Sequence, residues 1–147
     1  MFFLLNLNSQ NLDSINIVGV LNKEFLKIKP FSNWFNNEYE KYQPDLPIIE
    51  NLKKLPKEDL KISIYFGSWD ENSRKFLPQF IKVLDCINFN EKNLKIYSLP
   101  KSLKINNMDT LNIKVVPTTV IVKNKNVSII EGLWANKIEL ELHNLIK

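Results

Sequence analysis

The chain has 147 residues, 44% of them apolar and 24% charged, enough to bury one core, which excludes wholesale disorder. A single cysteine, Cys86, excludes a disulfide-stapled fold, and no apolar run reaches the ~18–20 residues of a membrane span. The formal net charge of +4 rests almost wholly on dispersed lysines, with Arg74 the sole arginine, so a nucleic-acid surface of arginine forks and interleaved aromatics is not expected.

Met1-Phe2-Phe3-Leu4-Leu5 starts like a signal peptide, yet the first cation is Lys23 and the long apolar stretch with a small-residue cleavage site is missing. The expectation is a soluble, cytoplasmic protein. Residues 1–31 read as an N-terminal extension of unclear structure, in which Ile15 to Val20 has strand character. A domain over 32–147 follows, with its core in 60–147. Ser32 suits the N-cap of a helix running to Tyr42, with Phe35, Tyr39 and Tyr42 on one face. Pro44 ends that helix. Asp45 can start the next, carrying Ile48, Ile49, Leu52 and Leu55 at helical spacing until Pro56.

From Leu60 the periodicity is clearer. Leu60 to Phe66 alternates as a strand and stops at Gly67. Asp70 to Ile87 turns helical, with Phe76, Leu77, Phe80, Ile81 and Leu84 on one face and Pro78 inside, where it removes a hydrogen bond. Leu94 to Leu99 reads as a second strand. Residues 101–113 form a connection with a helical turn around Met108 to Leu111. Thr118–Val122 and Val127–Ile130 form a hairpin across Asn124-Lys125, and an amphipathic helix closes the chain with Ile138, Leu142, Leu145 and Ile146 inward. The expected class is α/β. Strand–helix–strand implies a parallel pair and the hairpin adds antiparallel strands, giving a mixed central sheet with helices on both faces.

The stretch Phe66-Gly67-Ser68-Trp69-Asp70-Glu71-Asn72-Ser73-Arg74-Lys75-Phe76-Leu77-Pro78-Gln79-Phe80, together with Val116-Pro117-Thr118 and Glu131-Gly132, resembles the thioredoxin-like family. It is similar to bacterial members reading F-x-G-T-W-C-G-D-S-K-R-E-x-P-x-F. Glu38-Tyr39 and Tyr42-Gln43-Pro44-Asp45 add to the likeness, which covers roughly residues 35–147. The resemblance implies a thioredoxin-like fold, a cis Val116–Pro117 bond, and a groove that holds an extended peptide by main-chain hydrogen bonds. The positions matching that groove are Trp69, Val116, Pro117, Thr118 and Gly132, with Asp70 and Glu71 at its edge, and this chain adds Leu133 and Trp134.

The departure from the family is chemical. Its dithiol members attack disulfides with a cysteine whose thiolate is stabilised by the start of a helix. Here Asp70 stands at the first cysteine position, Ser73 at the second, and Ile64 where the family keeps a buried acid. A carboxylate cannot form a mixed disulfide, so no catalytic residue is assigned. Asp70 and Glu71 read as a helix cap and a first-turn acid, or as charges offered to a partner. Cys86 lies sixteen residues further on, roughly 24 Å along the helix, and reads as a small semi-buried apolar residue, with a reactive thiol as the alternative. His143 reads as a boundary residue. Three glycines cannot build a phosphate loop, and no metal-ligand spacing is present, so neither cofactor nor metal is expected. The leading expectation is a redox-inactive thioredoxin-like protein that binds another protein or an extended peptide. The alternatives are an oxidoreductase-related protein acting through Cys86 or a partner's thiol, and a nucleic-acid-associated subunit.

Overall fold

The computed structural model describes residues 3–6, 16–105 and 112–147. The strands are β1 (Phe3–Asn6), β2 (Asn16–Leu21), β3 (Leu60–Phe66), β4 (Leu94–Ser98), β5 (Thr118–Lys123) and β6 (Asn126–Glu131). The helices are α1 (Ser32–Lys41), α2 (Leu46–Lys54), α3 (Glu71–Cys86) and α4 (Ile138–Ile146). The six strands form one sheet in the order β1-β2-β4-β3-β5-β6. β3 and β4 are parallel, with α3 as their crossover, and the other pairings are antiparallel, so the α/β class and the mixed sheet are as expected.

The alternation in β3 decides where the core lies. Leu60, Ile62, Ile64 and Phe66 are 0–1% exposed on one face, a gross contribution of about 6–12 kcal/mol at ~1.5–3 kcal/mol per buried side chain. Register places Ile96, Ile121 and Leu21 on the same face. Phe35 of α1, Leu52 of α2, Phe80 of α3 and Leu142 of α4 all join that one cluster. All the described helices therefore lie on one face of the sheet. The apolar stripes of all four helices converge on the same side of the sheet, and the other side carries the stacked rings of Tyr65 and Tyr97, 4.6 Å apart. The helical turn expected around Met108 to Leu111 falls outside the described residues.

Local chemistry accounts for most element ends. The Asp45 carboxylate accepts from the Ile48 N–H at 3.4 Å and starts α2. α3 ends in a Schellman arrangement: Asn88, at φ +54°, donates to Asp85 O, and the Phe89 N–H donates to Leu84 O. Asn124, at φ +56°, supplies the positive φ that a two-residue hairpin needs. Ser32 corrects the reading made from sequence. It is the first helical residue, Phe31 occupies the N-cap in helical geometry, and no side chain caps α1. Ile28 O and Pro30 O take the first N–H groups instead, and burial of Phe31 holds the turn. β2 and the segment leading to α1 place Ile17, Leu21, Leu26 and Phe31 in the main core, so residues 16–31 share the sheet and core of the domain.

Two acids that periodicity did not single out tie the helical layer together. Glu139, fully buried in the first turn of α4, accepts from the Tyr42 hydroxyl at 2.6 Å and from the Asp45 N–H at 2.8 Å. Asp85 near the end of α3 accepts from the Tyr39 hydroxyl at 2.6 Å and pairs with Lys23 at 2.7 Å. Burial, reinforced by hydrogen bonds to Asp85 and Glu139 respectively, pushes both phenols above their ordinary range. Each phenol then keeps its proton in the folded chain where the unfolded chain has lost it. The stability they contribute is complete below about pH 10 and declines as pH rises beyond it. Thermal melts between pH 8 and 11, expressed on that scale, should show Tm falling above pH 10, and less steeply in Tyr39→Phe/Tyr42→Phe. Identical slopes would reject the assignment.

Candidate functional site

β3 brings the chain to the carboxyl end of the sheet. Because β4 runs parallel, Leu99 reaches the same end, and its N–H donates to Phe66 O at 2.8 Å. Gly67 comes next because a Cβ there would lie 2.5 Å from Trp69 Cε2. Trp69 folds back over this glycine, and its indole N–H donates to Leu99 O at 2.9 Å. The half-buried ring joins a small cluster with Leu99, Ile113 and Val116, beside Tyr65 and Tyr97. Trp69 and Val116, far apart in sequence, thus meet.

Asp70 stands at the N-cap of α3 in extended geometry, and its Oδ2 accepts from the Ser73 N–H at 2.8 Å. Such a cap contributes about 0.5–2 kcal/mol. Ser73 is wholly buried, and its Oγ accepts from the Gly67 N–H at 3.1 Å. Both side chains at the expected cysteine positions are therefore hydrogen-bonded within the turn that joins β3 to α3. Ile64 is fully buried among apolar groups. Glu71 is exposed in the first turn, where the helix field favours an acid. Arg74 donates from Nε to Ser68 O at 2.5 Å, and its guanidinium lies over the Trp34 ring at 5.9 Å. Glu71 and Arg74 line a cleft of about 490 Å³ between α1 and α3, together with Trp34, Glu38, Asn72 and Lys75. Sequence reading did not single out this cleft, because its two walls are some forty residues apart.

The Val116–Pro117 bond is cis. Pro117 O accepts from the Gly132 N–H at 2.7 Å, so the segment before β5 and the turn after β6 are joined. Gly132 has φ +77°, a conformation that strains any other residue type. Thr118 is buried and donates from Oγ1 to Val115 O at 2.7 Å. Val115 and Leu133, on either side of this junction, are exposed apolar side chains. Trp134 differs from the groove expectation. Its ring packs on Phe76 and Phe80 of α3 with centroids 5.6 and 5.3 Å away, and its buried Nε1 has no hydrogen-bond partner among the described residues. It covers the main core, on the face of the sheet opposite the cluster that holds Trp69.

Cys86 is the last residue of α3, half-buried against the core at the end remote from Asp70. His143 is half-buried on α4. Among the described residues, no three His, Cys, Asp or Glu side chains gather as metal ligands, and no helix is long and apolar enough to cross a membrane. The chain matches no protein-family model, no curated protein and no solved structure.

Proposed function

We infer that this chain is a redox-inactive, thioredoxin-like protein that holds an extended segment of another protein at the surface around Pro117. One observation carries the reading. The two positions that match the cysteines of the family's dithiol members hold an acid and a hydroxyl, and both are engaged in hydrogen bonds at the start of α3. The order β3-α3-β4-β5-β6-α4 and the cis Val116–Pro117 bond support the scaffold half of the inference. The binding half rests on the joined segments at Pro117 and Gly132 and on the exposed side chains of Val115 and Leu133, which suit strand addition with apolar contacts. Trp69 backs this surface, and Trp134 lines a cleft with Leu133 while its ring packs on Phe76 and Phe80.

Two measurements test the inference. With a disulfide substrate and dithiothreitol, the protein and its Cys86→Ser variant should both leave the rate at that of dithiothreitol alone. Titration with unstructured, apolar-rich peptides should move the amide resonances of Val115, Val116, Thr118, Gly132 and Leu133, and Leu133→Glu should weaken binding by about tenfold, or ~1.4 kcal/mol. Catalysed reduction that disappears in Cys86→Ser would establish the thiol alternative instead. Resonance shifts confined to the Trp34–Arg74 cleft would move the binding surface elsewhere.

A further inference from the structure

We propose that the free edge of β6 is a self-association surface, on which two copies of this chain pair their β6 strands antiparallel about a two-fold axis. Among the described residues β6 ends the sheet, with β5 as its only neighbour. Natural edge strands are blunted by lysine, proline or a bulge. β6 reads Asn126-Val127-Ser128-Ile129-Ile130-Glu131, with no lysine or proline, and its register against β5 is unbroken. Val127 and Ile129 are 61% and 52% exposed.

The hairpin geometry sets which backbone groups this edge offers. Lys123 and Asn126 flank the two-residue turn and are opposite each other, so they form a hydrogen-bonded pair. Bonded and non-bonded pairs alternate along an antiparallel ladder. The pairs 121·128 and 119·130 are thus bonded to β5, while Val127, Ile129 and Glu131 direct their N–H and C=O groups outward.

Two-fold pairing must match outward residues with outward residues on the same face, which leaves two centred registers. One sets Ile129 opposite itself and Glu131 opposite Val127 of the second copy. The other sets Val127 opposite Ile129 of the second copy, and in continuation Lys125 opposite Glu131, each twice by symmetry. The second register is favoured, because it places apolar against β-branched apolar and cation against anion. A strand of this length buries an area at the low end of the interface range, so the dimer is reversible and concentration-dependent. No residue of the Pro117 surface takes part, and the two inferences stand or fall separately.

Sedimentation equilibrium across a concentration series tests the pairing. The wild-type chain should pass from monomer to dimer, and Ile129→Lys should raise the dissociation constant at least about tenfold. Val127→Pro removes only an outward N–H and leaves the bonds to β5 in place, so it should also yield a folded monomer. Lys125→Glu should weaken the dimer, and adding Glu131→Lys should restore it. A wild-type chain that stays monomeric up to about 1 mM, or a dimer unaffected by both Ile129→Lys and Val127→Pro, would overturn the proposal. A dimer broken by those changes yet indifferent to the charge exchange would overturn the stated register.

Discussion

Asp70→Cys with Ser73→Cys should convert the chain into a disulfide reductase. At position 70 a thiolate would accept the Ser73 N–H bond that the Asp70 carboxylate now accepts at 2.8 Å, and the helix field would stabilise its charge. Thiols in such settings titrate at roughly 3.5–7.5 rather than near 8.5, so alkylation of the double variant should reach half-rate at least one unit below an ordinary thiol. Three residues on, the second thiol would occupy the buried site of Ser73, a helical neighbour at a separation compatible with a disulfide. The thiolate at position 70 attacks the substrate disulfide and releases one substrate thiolate. The sulfur at position 73 then attacks the mixed disulfide and releases the other. The protein dithiol ends oxidised, the substrate reduced, and dithiothreitol resets the pair. Asp70→Cys alone should stop at the mixed disulfide. Because Ile64 supplies no proton carrier, turnover should exceed the dithiothreitol rate yet gain further from Ile64→Asp. A folded double variant with an ordinary alkylation midpoint and no turnover would count against the alignment of Asp70 and Ser73 with the family's cysteines.

Glu139→Leu should destabilise the fold by about 3 kcal/mol. Removing the carboxylate leaves the Tyr42 hydroxyl and the Asp45 N–H without their acceptor, and hydrogen bonds to a charged group contribute about 1.5–3 kcal/mol each. Leucine recovers part of that through apolar contact with its neighbours in the core. For a chain of this size the loss corresponds to a fall in Tm of roughly 10 °C. Glu139→Gln keeps an acceptor in place and should cost less than half as much. Adding Tyr42→Phe to Glu139→Leu should be less than additive, since both changes remove one contact. Equal melting temperatures for wild type and Glu139→Leu would mean that the buried carboxylate contributes nothing net.

The elements from Leu60 onward were legible because each rests on a local signal. Alternation marks β3, three-and-four spacing marks α3, and Asn124 marks the hairpin turn. Asp70 was legible for the same reason, since an acid at the start of an apolar helical stripe is a cap whatever surrounds it. Ser32 looks like a cap in the sequence, but a buried neighbour, Phe31, and carbonyls from residues 28 and 30 do that work. Its place beside Gly132 puts Trp134 at the groove in the sequence. Only the packing of Phe76 and Phe80 beneath it turns the ring into the main core. Glu139 carried no signal, because its partners lie 97 and 94 residues away.

Sequence alone determined the α/β class, the parallel β3–α3–β4 unit and the acid that caps α3, because each depends on residue type at short range. Tertiary structure decided that four helices share one face of the sheet, that β2 lies against β4, and that Pro117 meets Gly132. Those outcomes depend on long-range burial and pairing, in which each segment's position is set by surfaces it meets only after the chain has folded.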